Sequence, residues 1–292
     1  MRGPAVSTST QVCRAAVLGK PVEHSMSPVL HEAAYRALGL SGWRYERIEA
    51  DEEGLRELLA GLGPEWAGLS VTMPGKRAAL ACADTATERA RAVGAANTLV
   101  QTAPGRWRAD CTDVDGVAGA LCAAAGYRRR GDTGVVLGAG GTAAAAAAAF
   151  AELGLRRVRL VVRELARAKE TADSARLAGL DVEVLRWSDV DFAALATDAD
   201  ALVSTVPEQA VRPHITELAT AACLLDVIYD PWPTALATEV MALGGRLGTG
   251  LDMLLHQAFG QVEQFTGEPA PREAMRSALG GATSWIVPLP LE

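Results

Sequence analysis

The chain has 292 residues, enough for two domains that each bury a core, and its 49% hydrophobic and 22% charged content is that of a soluble globular protein. A formal net charge of −7 argues against nucleic acid as a main partner, while a local cluster of donors still permits a small anionic ligand. No run approaches the roughly 18 apolar residues of a membrane span, and Cys13, Cys82, Cys111, Cys122 and Cys223 lack the spacing of a zinc site or disulfide framework. A reducing cytoplasm is therefore the expected compartment.

The opening MRGPAVSTSTQ has no apolar stretch and reads as a disordered lead-in, not a secretory signal. RAAVLG (14–19) is expected as a first strand and KPVEHSMSP (20–28) as a polar loop. A helix should start there, with Ser27 as N-cap and Pro28 at its first position, and stop at Gly39. Strand patterns follow at 43–50 and 67–72, with helices over 52–62, from Lys76 to Ala81, and near 86–92. Residues 95–100 and 106–109 form a hairpin around Pro104-Gly105, and 112–126 a helix leading to the next unit. The Arg128–Arg130 run reads as a solvated turn.

The second unit opens on VVLGAGGTAAAAAAAF (135–150). A short apolar strand runs into Gly138-Ala139-Gly140-Gly141-Thr142-Ala143, which fits G-x-G-x-x-G/A, and a run of alanines continues as a helix. The first glycine allows the tight turn, the second allows close approach of a pyrophosphate, and the small third position allows close helix–strand packing. A purely structural turn is the alternative; the flanking strand and helix favour a dinucleotide site. Further strands are expected at 157–163, 181–187, 201–207 and 223–230, with alanine-rich helices between them. Near 250 a long helix closed by Gly267 begins, followed by REAMRSALG; both should pack back on the first unit. The tail SWIVPLPLE is either a packed strap or disordered.

The alternation predicts an α/β protein with a mostly parallel sheet in its first domain and a Rossmann-type second domain. Residues 1–114, completed by 250–292, form the substrate-binding and catalytic domain in this reading, and 115–249 the dinucleotide-binding domain. Ser25 and Ser27 place two hydroxyls on a loop entering a helix; alone they are an N-cap with a turn serine, and with a ligand they suit a carboxylate. Thr72 and Lys76 follow a strand end, where open α/β sheets bind ligands, although a single lysine is ordinarily a surface charge.

Taken together, these stretches resemble the shikimate dehydrogenase family from Val17 to Gly267. The blocks are VLGKPVEHSMSPVLHEAAY (17–35), GLSVTMPGK (68–76), VGAANTLV (93–100), CTDVDG (111–116), LGAGGTA (137–143), DVIYDPWPT (226–234) and GLDMLLHQAFGQVEQFTG (250–267). The resemblance implies reversible, NADPH-dependent reduction of 3-dehydroshikimate to shikimate without a metal, by a monomer or homodimer acting on a small molecule. It implies that Lys76 and Asp113 are the catalytic pair and that Ser25 and Ser27 hold the substrate carboxylate. Thr72, Asn97 and Gln257 would bind ring hydroxyls, Tyr229 would lie between substrate and nicotinamide, and Gly250 and Met253 would line the nicotinamide pocket. An ammonium at Lys76 can stabilise and protonate the oxygen that becomes negative as hydride reaches the carbonyl carbon.

Two departures stand out. Cys111 replaces the family's usual asparagine, and a thiol is the poorer hydrogen bonder, so weaker substrate binding is expected. After the second cofactor-domain strand, Val162-Arg163-Glu164 replaces Asn-Arg-Thr. Arg163 and Arg167 suit a 2′-phosphate, whereas Glu164 suits the free ribose hydroxyl of NAD; NADP is the expected cofactor. A quinate or aminoshikimate dehydrogenase is the neighbouring reading, and the compact hydroxyl of Ser27 favours shikimate. A non-catalytic ligand sensor would be expected to lack Lys76 or Asp113, and both are present.

Overall fold

The computed structural model describes residues 12–292, so the expected lead-in at 1–11 lies outside the described residues. The first sheet is built from β1 (Cys13–Gly19), β2 (Trp43–Glu49), β3 (Trp66–Val71), β4 (Thr85–Ala86), β5 (Thr98–Ala103) and β6 (Arg106–Asp110). Its helices are α1 (Ser27–Ala37), α2 (Leu55–Gly61), α3 (Lys76–Cys82) and α4 (Glu88–Val93). The spatial order is β2-β1-β3-β5-β6-β4. β1 pairs in parallel with β2 and β3, β4 pairs in parallel with β6, and β5 runs antiparallel to both β3 and β6. β1 is an interior strand buried on both faces, as its apolar run AAVL requires.

α5 (Asp113–Gly119) follows and runs on as a π-helical turn over Ala120–Ala124. The second unit contains β7 (Thr133–Leu137), α6 (Gly141–Glu152), β8 (Arg157–Val162), α7 (Lys169–Leu177), β9 (Asp181–Arg186) and α8 (Phe192–Asp198). It continues through β10 (Ala201–Ser204), α9 (Glu208–Val211), α10 (Ile215–Leu218), β11 (Leu224–Asp226), α11 (Ala235–Ala242) and β12 (Leu247–Thr249). All its pairings are parallel, in the order β12-β11-β10-β7-β8-β9. The glycine-rich turn leaves β7 where the strand order reverses, the place at which such sheets bind nucleotides. Ala143 to Ala149 are all buried, so α6 sits close on the sheet.

Several details differ from the sequence expectation, the two-residue strand β4 among them. The first helix starts one residue early: Met26 is its N-cap and Ser27 its first residue, because the Ser25 hydroxyl takes up the Ser27 N–H at 3.3 Å. β12 was not expected, since its three residues lie among glycines and show no period. The 223–230 strand is shorter than expected and stops at Asp226, leaving Tyr229 on a loop.

α12 (Gly250–Thr266) begins with a capping box between Thr249 and Asp252 and ends at Gly267 in the left-handed conformation. It lies against α5, α1, β3 and β5, and α13 (Arg272–Ala282) lies against α1, so both helices return to the first sheet. Helix α5 admits α12 through small residues. A Cβ on Gly116 would stand 2.7 Å from the Met253 carbonyl oxygen, and one on Gly119 would stand 2.3 Å from the His256 ring. The tail is a packed strap: Leu289 is fully buried, and Arg276 Nε donates to its carbonyl at 2.8 Å. No helix among the described residues is long and apolar enough to cross a membrane.

Candidate active site

The carboxyl ends of β1 and β3 and those of the second sheet's strands face one cleft of about 240 Å³. Ser25, Ser27, Thr72, Lys76, Asn97, Asp113, Tyr229, Gly250, Met253 and Gln257 all line it, joined by Thr142 from the glycine-rich turn. Ser25 comes from the loop entering α1 and Ser27 from its first residue, Thr72 from the turn after β3, Lys76 from the start of α3, and Asp113 from the first turn of α5. Thr72 reaches the cleft because Gly19 has no side chain: a Cβ there would stand 2.3 Å from the threonine methyl. A separate depression of about 220 Å³ lies at the amino ends of the second sheet's strands, where Arg159 is already paired with Glu183 at 3.1 Å.

Lys76 Nζ contacts Asp113 Oδ2 at 2.5 Å, and both side chains are largely removed from solvent. Asn97 Nδ2 donates to the other carboxylate oxygen, Oδ1, at 2.9 Å. The buried charge of Asp113 is thus paired and hydrogen-bonded, the condition for burying a carboxylate without a large penalty. Its place in the first turn of α5 adds the favourable end of the helix dipole. The Asn97 amide is held in one orientation, because the Thr112 backbone N–H can only donate and reaches Oδ1 at 2.7 Å. Gln257 Oε1 accepts from Asn97 Nδ2 at 3.1 Å, and its Nε2 donates to the Leu254 carbonyl at 2.9 Å.

Beneath this row lies a buried layer that sequence reasoning missed. Gln261 Nε2 donates to the Asn97 carbonyl at 3.1 Å, while its Oε1 accepts from Ser70 Oγ at 2.8 Å and faces His31 Nε2 at 3.3 Å. Tyr45 donates to Ser70 at 2.7 Å and stacks on His31. Burial pushes His31 down to about 3, so the ring is neutral, with Nε2 carrying the proton given to Gln261. One signal for Gln261 was available: it follows Gln257 by four residues and so shares its helix face. Burial, reinforced by Asp230, raises the Tyr229 hydroxyl above its usual range and keeps it a donor.

The dinucleotide candidates lie beside the cleft. Gly138 has φ +114°, and a Cβ on it would stand 2.4 Å from Thr205 Oγ1; a Cβ on Gly140 would meet nothing within 4 Å. The turn therefore needs glycine at its first position and presents open backbone at its second. Ala139 gives its carbonyl to Thr171 Oγ1 at 2.9 Å, and Gly141 and Ala143 start α6. Arg163 and Arg167 are exposed just beyond β8 and form no ion pair among the described residues. Cys111 corrects an expectation: its side chain is buried in the core with Val114 and Ala95 and does not line the cleft. Burial, with Asp113 adding to it, holds its thiol well above the usual range. Among the described residues no group of three or more His, Cys, Asp or Glu is arranged to hold a metal.

Family models match two stretches of the chain: the shikimate dehydrogenase substrate binding domain over residues 17–99, and the shikimate 5'-dehydrogenase C-terminal domain over 250–279. The chain is 40% identical to the shikimate dehydrogenase (NADP(+)) of Methylobacterium radiotolerans, an alignment spanning 89% of this chain and 93% of that one. The chain belongs to the shikimate dehydrogenase family. Among solved structures of the family, that of Mycobacterium tuberculosis shikimate dehydrogenase superposes with a TM-score of 0.85 at 52% identity, covering 92% of this chain and 99% of that one. The Thermus thermophilus shikimate 5-dehydrogenase in complex with shikimate gives 0.75 at 31% identity, covering 94% and 100%.

Proposed function

We infer that this chain is an NADP-dependent oxidoreductase that reversibly reduces 3-dehydroshikimate to shikimate in aromatic amino acid (chorismate) biosynthesis, with Lys76 and Asp113 as its catalytic pair. The observation that carries the residue assignment is the Lys76–Asp113 ion pair, set in a cleft that also gathers two serine hydroxyls, a threonine and two amides. That set matches a ring bearing a carboxylate and hydroxyls. Ser25 and Ser27 donate to the carboxylate, while Thr72, Asn97 and Gln257 hold the hydroxyls and fix the ring.

The residues present fit a dinucleotide, since the turn offers open backbone at Gly140 and the first turn of α6 offers free N–H groups. When bound, the cofactor supplies the hydride. Lys76 gives its proton to the carbonyl oxygen as negative charge gathers there, and Asp113 keeps the ammonium aimed. Arg163 and Arg167 would meet the 2′-phosphate. Gly250 and Met253 would flank the nicotinamide, and Tyr229 would lie between the two ligands. We assign the stretch up to residue 114, with 250–292, to substrate and catalysis, and 115–249 to the cofactor. Five free thiols fit a reducing cytoplasm, and the working unit is a monomer or homodimer.

Lys76→Ala tests the assignment. Its kcat should fall on the order of 100- to 1,000-fold with a much smaller change in KM, because the lost interaction strengthens as the oxyanion forms. A variant keeping more than about half of the wild-type kcat would remove Lys76 from the chemistry.

A further inference from the structure

Lys76 is an ammonium with three protons to place. One goes to Asp113 Oδ2 at 2.5 Å and another to Thr142 Oγ1 at 3.3 Å. Thr142 lies 66 residues further along the chain, in the first turn of α6, and belongs to the second sheet's unit. The approach involves backbone as well as side chain. Gly141 lies against the lysine stem, so that a Cβ there would stand 3.6 Å from both Lys76 Cβ and Cδ and 3.5 Å from Ala95 Cβ. α6 then continues into buried alanines, which anchor the turn to the sheet.

We propose that Thr142 is a positioning residue for Lys76, a proposal that rests on the reading of Lys76 as the proton donor. With one N–H tied to Asp113 and one to Thr142, the tetrahedral nitrogen directs its third N–H into the cleft. In the reduction that proton moves to the substrate oxygen while the carbon receives hydride, and Lys76 is left as a neutral amine. Its two remaining N–H groups keep the same partners, and the lone pair now faces the cleft. The reverse reaction takes the alcohol proton back onto that lone pair. Asp113 and Lys76 come from one side of the cleft and Thr142 from the other, so the donor is fully aimed only when the two units stand together.

The test compares Thr142→Val, which keeps the shape and removes the acceptor, with Thr142→Ser, which restores it. Shikimate oxidation is followed at saturating NADP, and NADP affinity is measured separately by titration calorimetry. Thr142→Val should lower kcat roughly tenfold while the Kd for NADP and the KM for shikimate stay within about twofold, and Thr142→Ser should recover most of the rate. In a Lys76→Ala background the valine should have no further effect, because it acts through the lysine. Wild-type kcat in Thr142→Val, or a raised NADP Kd with kcat intact, would overturn the proposal. Wild-type kcat in Lys76→Ala alone would instead overturn the reading beneath it.

Discussion

Gln257 shows how individual side chains divide the work in the cleft. Its amide is tied on one side to Leu254 and on the other to Asn97, so it reaches the cleft already oriented. Gln257→Ala should raise the KM for shikimate about tenfold, from the loss of one or two hydrogen bonds, and change kcat much less. An unchanged KM in steady-state assays would detach α12 from the substrate. The proposed cofactor preference turns on another pair. Arg163 is exposed beyond β8, where its guanidinium can form charge-assisted bonds to a 2′-phosphate, and the neighbouring Glu164 repels that group. Arg163→Ala should raise the KM for NADP and leave that for NAD nearly unchanged, while Glu164→Ala should shift preference further towards NADP. Opposite shifts in paired kinetics would reverse the two roles.

Among the elements, the crossing of α5 and α12 sets the site, because one carries Asp113 and the other Gln257. Gly116 makes that crossing close: an added Cβ would meet the Met253 carbonyl oxygen at 2.7 Å and Gln257 Cβ at 2.9 Å. Neither obstacle is the end of a flexible side chain, so Gly116→Ala must part the helices. It should cost about 1–3 kcal/mol in chemical denaturation and raise the KM for shikimate together with it. Full stability with wild-type KM would mean that the crossing has slack. Most elements were legible because their apolar period changes from strand to helix at glycine or proline signals, as at Pro104-Gly105 and Gly267. β12 was not, since three residues between glycines carry no period. The one-residue slip at α1 arose because the Ser25 hydroxyl, not that of Ser27, meets the first free N–H. The layer of His31, Tyr45, Ser70 and Gln261 was hidden because the Ser70–Gln261 bond spans 191 residues.

Across the whole molecule, the cleft exists because β1 and β3 of the first sheet and the parallel strands of the second turn their carboxyl ends to it, and the two units are joined across several elements. Arg89 of α4 pairs with both Asp115 of α5 and Glu152 of α6, Arg77 of α3 pairs with Glu170 of α7, and Ser174 donates to the Val93 carbonyl. At the mouth, His24 and Asp230 face each other from opposite sides at 3.9 Å. Seven ordered motif blocks made the residues that line the cleft readable in the chain, yet they carry no information on which contacts join the two units. Lys76 and Thr142 are such a case. The measurement that bears most directly on the whole account is the oxidation of shikimate and of quinate by the purified protein, each with NADP and with NAD. Shikimate with NADP should give the highest kcat/KM of the four combinations. No turnover of shikimate, or a higher kcat/KM for quinate or for NAD, would contradict it.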